Sequence, residues 1–429
     1  MRYIPLNNSI YKRNRLNFMD QMKGNCMAIF NSNDIYPVSA DSELPFAQHR
    51  DMFHLAGIDQ EETILILYPS SKDSKTREIL FIRRSDEHTK IWEGEKLSKD
   101  LASKLSGIES IHFVEDFKNI LHLITSKVDT FYINKNEHYR ANSPVETRED
   151  RFISWLLKKY PAHNVAKSNP ILQRLRSIKH IDEIDQIRKA CQITKKGFNR
   201  VLKFIKPDVW EYQIEAEFIH EFINNSSKGF AYSPIIASGQ DNNVLHYVKN
   251  NKQCKDGELI LMDVGAEYGN YSSDMTRTIP VSGHFSKRQK EIYNTVLRVK
   301  NEATKLLTVG NNWKNFHDQV GEIMTKELLD INLLDKADIK NQTKKNPAYK
   351  KYFMHGTSHH LGLDTHDYGL LDDLFQENMV FTVEPGIYIP EEGFGVRLED
   401  DVVIQTKGEP INLMEDIPIE TDHIEELMN

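Results

Sequence analysis

Four acidic residues stand in or beside segments that otherwise read as buried strands, and they restrict the fold more than any other feature of this sequence. Asp263 closes the apolar run Leu259-Ile-Leu-Met, and Asp274 lies in Asn270–Thr278, which is placed to return antiparallel beside it. A hairpin of that length brings both carboxylates to one end of a sheet, facing the same side. Asp274 within a β-prone run costs strand stability, and metal ligation is one explanation for its presence. Glu384 follows Phe381-Thr-Val and precedes Pro385, which cannot donate to a ladder. Glu399 stands in Val396–Ile404, two residues after Arg397, with which it can simply pair on one strand face. Any one of the four is explained by a salt bridge or a solvated turn. Four together favour a shared site, because a buried carboxylate must be paired or must coordinate a metal.

The histidines supply the rest of such a site. His355, His359, His360 and His366 crowd into one short segment, and His246 lies far upstream. Gly356 and Gly362 lie beside them, where backbone must bend or approach closely. An oxygen-rich set with one imidazole suits Mn(II), Co(II), Fe(II) or Zn(II) rather than copper, and the excess of carboxylates favours manganese. Two such ions about 3.5–4 Å apart can share a hydroxide nucleophile and clamp a substrate carbonyl. A neighbouring imidazole can hold the developing oxyanion. The expected chemistry is therefore that of a dinuclear metallohydrolase.

Length and charge narrow the setting. At 429 residues the chain exceeds the usual size of one hydrophobic core, so two domains are expected. A formal charge of -8 argues against a nucleic-acid partner, which calls for a basic excess. The short basic runs Lys158-Lys159 and Lys344-Lys345 read as solvated faces or loops. Cys26, Cys191 and Cys254 are odd in number and widely spaced, a pattern that suits a reducing compartment rather than a disulfide scaffold. The first nine residues lack the apolar core of a secretory signal, and no run is long enough to span a bilayer. A soluble, cytoplasmic protein is expected, with no membrane partner.

Periodicity divides the chain into two textures. In the first half, helix-compatible spacing over 9–22 makes Ile10, Leu16, Phe18, Met19 and Met22 candidate buried positions. Strands follow at 27–31, 63–68, 78–82, 111–114 and 130–133, with helices at 117–126 and 148–159, a rhythm that suggests a mixed sheet with helices packed on it. The polar stretch 162–175 reads as a domain junction. Beyond it come long amphipathic helices at 182–205, 210–224, 287–307 and 313–329, and strands at 233–237, 259–264, 276–280 and within 376–403.

At the acid and histidine positions the sequence resembles the pita-bread metallopeptidases, most closely the Xaa-Pro aminopeptidase (aminopeptidase P) branch, with the Xaa-Pro dipeptidases (prolidases) next. The motifs that carry the resemblance are Asp263-x10-Asp274, the run from His355 to Asp367, Glu384-Pro-Gly-Ile-Tyr388 and Arg397-Leu-Glu-Asp-Asp401, in the family's order. The resemblance implies an α/β (α+β) protein with a creatinase-like N-terminal domain at 1–172 and a pita-bread catalytic domain at 173–429. It implies Asp263, Asp274, His359, Glu384 and Glu399 as ligands of two divalent ions, with Asp274 and Glu399 bridging. His246 and His366 become the non-ligand imidazoles that bind substrate and stabilise the tetrahedral intermediate, and Glu384 the group that takes the proton from the attacking water. His355 is expected to line the substrate pocket, and Arg397 to support Asp263. Lys90-Ile-Trp92-Glu-Gly94 is similar to the stretch that reaches a neighbouring subunit's site in family oligomers. It implies a homodimer or homotetramer, and Trp92 reads equally well as an anchor within its own domain.

The activity this implies is release of the N-terminal residue from peptides with proline second. An Xaa-Pro bond has no N–H, so peptidases that need that donor fail on it. The rivals are an Xaa-Pro dipeptidase, a methionine aminopeptidase, and a metal-free binding module or creatine hydrolase on the same fold. The last two should have lost several ligands. Family members commonly carry a longer loop with a substrate-binding Arg before the Glu-Pro-Gly motif; here Tyr368–Phe375 is short and has no Arg or Lys, which counts against the dipeptidase.

Overall fold

The computed structural model describes residues 2–135, 137, 138, 140 and 143–429. By its internal contacts the chain divides into one unit over Pro5–Arg176 and a second over Ser177–Asn429, which also takes in the residues up to Ile4.

The first unit is built on a six-stranded mixed sheet. From edge to edge it runs Ser110–Phe113, Glu78–Ile82, Ile64–Leu67, Cys26–Asn31, Thr130–Ile133 and Asn164–Lys167. The central strand Cys26–Asn31 is buried throughout, because both of its faces are covered. Cys26, Ala28 and Phe30 pack with Phe18, Met52 and Leu55 on one side. Met27 and Ile29 pack with Phe117, Leu121 and Leu156 on the other. The mixed sheet clad in helices is therefore as the alternating rhythm predicts.

One local expectation fails. Leu16 is 52% exposed, because the inward stripe of helix Asn8–Gln21 runs through Ile10, Tyr11, Asn14, Arg15, Phe18 and Met19. Arg15 is buried there, donating to the carbonyls of Leu55 and Ser106 and facing Glu78. The polar stretch 162–175 forms the edge strand Asn164–Lys167 and most of the helix Asn169–Ser177, and the division between the two units falls just after it, at Arg176 and Ser177. An edge strand with open faces tolerates the same residues as a linker does.

In the second unit, helix Ile181–Phe204 packs on Glu211–Asn224, close enough that a Cβ on Gly197 would meet Phe218 and Phe222 at 2.8 Å. Leu259–Val264 pairs antiparallel with Met275–Pro280 on one side and Ile235–Ser238 on the other. Val380–Val383 pairs with Asp400–Val403, and Gly386–Ile389 with Phe394–Arg397. Bonds such as Glu399 N–H to the Thr276 carbonyl (3.0 Å) and Arg397 N–H to Thr278 Oγ1 (3.2 Å) tie these small sheets together. A buried ionic cluster locks the seam. Arg277 donates to the Glu399 carbonyl (2.7 Å) and to Asp400 (2.6 Å), and Asp400 also meets Lys300. Burial works to raise the Asp400 pKa, but the two cations hold it below the usual carboxylate range. Among the described residues, no helix is long and apolar enough to cross a membrane.

Candidate metal centre

Each acid owes its position to a strand end. Asp263 is the penultimate residue of Leu259–Val264, opposite Thr276. Asp274 is not inside the returning strand, as the run of β-formers suggested, but one residue ahead of Met275–Pro280. A short hairpin, Glu267–Tyr268 with Tyr271–Ser272, takes up the intervening residues. Gly269 and Asn270 turn it with φ of 61° and 69°, the paired positive values of a tight two-residue hairpin. Asp274 thus sits on the lip of the sheet, where it interrupts no ladder. Glu384 directly follows Val380–Val383, and its N–H binds the Thr357 carbonyl at 2.7 Å. Glu399 lies between Phe394–Arg397 and Asp400–Val403.

The donor atoms of Asp274, His359 and Glu399 all lie within 4.8 Å of one another. His359 Nε2 is 3.4 Å from Asp274 and 3.7 Å from Glu384. Its Nδ1 lies 2.9 Å from the His360 carbonyl, which takes the ring proton there and leaves the Nε2 lone pair facing the acids. Asp263 joins the group through Tyr232, whose hydroxyl is 2.6 Å from Asp263 and 2.6 Å from Asp274. A phenol has one proton to give, so it can serve both oxygens only if one aspartate is itself protonated. Burial first, and Asp263 second, raise the Asp274 pKa well above normal. Glu399 is raised in the same way by burial and by Asp274, and burial pushes Glu384 up to about 7. Asp401, buried behind Asp274 and accepting its N–H at 3.0 Å, is raised too by burial and by Asp274.

This pattern is that of a site short of positive charge. Among the described residues, the cation that these four carboxylates meet directly is Arg397, whose guanidinium is 2.6 Å from Asp263. Arg397 does not pair with the Glu399 carboxylate; its Nε donates to Thr276 Oγ1 (3.1 Å), which in turn donates to Glu399 (2.7 Å). Hard divalent cations supply the missing positive charge, and an oxygen-rich donor set with one imidazole is what they prefer.

Other residues complete the surroundings. Arg397 also donates to the Tyr388 hydroxyl (3.0 Å), which lies 2.8 Å from His355 Nε2. His355 is held neutral, driven down to about 3 by burial first and by Arg397 next, and its Nδ1 is 3.8 Å from Glu384. The His366 ring lies 3.9 Å from that of His359, centroid to centroid. His246 is exposed, yet near enough to His355 to contribute to that lowering. Trp92 belongs to the first unit, 76% exposed on helix Glu87–Glu93 and 6.0 Å from the His88 ring. His360 is buried against Phe381 and Trp313 and serves packing.

Sequence reasoning gave Tyr232 no role, and nothing around it signals one. The glycines divide. Gly362 has no room for a side chain, since a Cβ would lie 2.1 Å from Asp367 Oδ2, whereas at Gly356 the nearest atom is 3.8 Å away. Gly265, which drew no attention in the sequence, is the tighter position: a Cβ there would fall 1.8 Å from the Ser273 carbonyl and 3.1 Å from Tyr232.

Comparison with known proteins adds an independent line. Residues 185–406 match metallopeptidase family M24, and residues 11–132 match the aminopeptidase P N-terminal domain. The chain is 32% identical to the Xaa-Pro aminopeptidase of Escherichia coli, covering 97% of each. It is 32% identical to human Xaa-Pro aminopeptidase 3, covering 92% of this chain and 79% of that one. Among solved structures, zinc-substituted E. coli aminopeptidase P in complex with product superposes with a TM-score of 0.89 at 30% identity, covering 99% of each chain. A Pseudomonas aeruginosa aminopeptidase does so at 0.90 and 30%, covering 100% of this chain and 99% of that one.

Proposed function

Because this chain belongs to metallopeptidase family M24, with an aminopeptidase P N-terminal domain ahead of the catalytic one, we propose that it is a divalent-metal aminopeptidase. It removes the first residue from peptides whose second residue is proline. The observation that carries the reading is the convergence of Asp274, His359 and Glu399 donor atoms within 4.8 Å, alongside two further acids and too little positive charge. Asp263, Asp274, His359, Glu384 and Glu399 are the residues that would hold two ions. When bound, such ions activate a water and polarise the scissile carbonyl.

The chain's own groups do the rest. Glu384 Oε takes a proton from the attacking water, from a position 3.7 Å from His359 Nε2 and 3.8 Å from His355 Nδ1. His366 and His246 offer ring N–H groups to the developing oxyanion, and His355 lines the pocket. Arg397 fixes Asp263, and through Thr276 it also orients Glu399. Manganese is the proposed ion, favoured by the surplus of carboxylates. A homodimer or homotetramer is proposed on the strength of Ile91 and Trp92, 78% and 76% exposed side by side. Three buried cysteines outside any disulfide support a reducing, cytoplasmic setting.

The test is elemental analysis of purified protein together with a panel of Gly-Pro, Gly-Pro-Xaa and Gly-Ala-Xaa peptides, before and after chelation. Cleavage of Gly-Pro-Xaa that vanishes with chelator and returns best with manganese is expected. Exclusive cleavage of the Gly-Pro dipeptide would replace the reading with a dipeptidase. Light scattering of the same sample decides the subunit count, and a monomer would remove the role given to Trp92.

A further inference from the structure

Helix Trp313–Asp330 turns one whole face to a cleft of about 1100 Å³. Lys314, His317, Gly321 and Thr325, at three- and four-residue spacing, line it from the helix together with Lys326, and Lys344, Tyr349 and Lys350 line it from the facing segment. Its remaining wall is His355-Gly356-Thr357. That wall belongs to the metal centre, since the Thr357 carbonyl binds the Glu384 N–H and His355 lies against the Glu384 carboxylate. The cleft therefore shares a wall with the metal centre.

Its size indicates which part of a peptide it fits. An enzyme that releases one N-terminal residue confines the amine end to a pocket for a single side chain, and everything after the scissile bond must leave by an open route. The helical stripe from Lys314 to Leu329 is about 22 Å long at 1.5 Å per residue. That is room for about six extended residues at ~3.3 Å each. Gly321 lets the Tyr349 ring lie close against the helix, since a Cβ would meet Tyr349 Cε1 at 2.7 Å. The ring gives the cleft a flat, partly apolar floor.

Charge indicates the chemistry. The chain as a whole carries -8, yet the lysines lining this cleft, Lys314, Lys326, Lys344 and Lys350, outnumber its acids, Asp318 and Glu322. Lys314 is taken up by Asp318 at 2.9 Å. His317 adds no charge near neutrality, because burial first, despite Asp318, lowers its pKa. The short Tyr368–Phe375 segment has no Lys or Arg to hold the far end of a peptide. The lysines of this cleft can take that place.

We propose that the cleft receives the segment of a peptide substrate beyond its proline, and that Lys326, Lys344 and Lys350 select for carboxylates there, whether acidic side chains or the chain terminus. The proposal rests on the aminopeptidase reading above. It is tested on metal-loaded protein with Ala-Pro-Gly and with three amidated heptapeptides, Ala-Pro-Gly-Gly-X-X-Gly, in which X is Asp, Asn or Lys. A free-acid form of the Asn peptide separates the chain terminus from the side chains. The Asp peptide should exceed the Lys peptide about fivefold or more in kcat/KM, carried by KM, as exposed ion pairs of this kind allow. The ratio should fall toward one in ~1 M salt. It should fall to one or invert when Lys326→Glu is combined with Lys350→Glu, with thermal unfolding as the check that the variant folds. Equal kcat/KM for all the heptapeptides while Ala-Pro-Gly is cleaved overturns the cleft assignment alone, as does a preference that survives in the double variant. Failure to cleave Ala-Pro-Gly at all overturns the reaction, and the cleft assignment with it.

Discussion

Replacing Glu384 by Gln tests the electrostatics of the centre without any assay of catalysis. Glu384 sits 3.7 Å from His359 Nε2 and 3.8 Å from His355 Nδ1, and burial lifts its pKa from 4.5 to about 7. The folded, metal-free protein therefore keeps a proton that the unfolded chain gives up. The stability this contributes is present in full below about 4.5 and is lost as the pH rises through about 7, amounting to about 3 kcal/mol at 1.36 kcal/mol per unit. Gln mimics the protonated acid at every pH. In chelator at pH 5 the two proteins should therefore unfold at nearly the same temperature. At pH 8 the variant should be the more stable by about 3 kcal/mol, roughly 7 °C for a unit of this size. His355, held down near 3, titrates with the opposite sign in both proteins. Added manganese should reverse the order at pH 8, because binding to the folded state stabilises the protein that keeps all its ligands. The assay is a thermal melt over a pH series with and without metal. A chelated wild-type-minus-variant difference that is the same at pH 5 and pH 8 would refute the reasoning.

Two further substitutions probe the supports. Arg397→Met strips the Asp263 carboxylate of its guanidinium partner at 2.6 Å and should cost roughly 3–5 kcal/mol along with metal retention. Melting and metal content read this out, and Arg397→Lys should rescue it only in part because the fork to Tyr388 and Thr276 is lost. A Met variant with wild-type stability and full metal would remove Arg397 from its assigned role. Gly362→Ala forces a Cβ to within 2.1 Å of Asp367 and 2.8 Å of Lys179, whose ion pair at 2.9 Å is almost wholly buried. Opening that pair should cost about 3 kcal/mol and, by shifting the adjacent His366, lower kcat more than it raises KM. Unchanged melting would show that the pair can move aside.

Much of this protein is written in local pattern. The apolar run Met27–Phe30 places a short buried strand at 27–31, and the structure buries all six residues of Cys26–Asn31. Thr147 with Asp150, and Ser286 with Gln289, form capping boxes that start their helices within four residues of chain. The acids at Asp263, Glu384 and Glu399 stand out because each interrupts the apolar run in or beside which it lies. Arg15 and Leu16 mark where such reading stops, since a charged residue faces inward and its apolar neighbour outward on the same helix.

What the sequence alone determined was which short segments become strands and helices, which residues look out of place in them, and, through spaced motifs, which family they match. Only the tertiary structure decided that Tyr232 joins Asp263 to Asp274, 31 and 42 residues away, that Arg397 pairs with Asp263 across 134 residues, and that a lysine-lined cleft opens beside the centre. The reason is physical. Periodicity records whether a side chain faces solvent or interior within one turn or one pleat. A contact made by closing a long stretch of chain depends on how several elements pack at once, and no local run of residues carries that information.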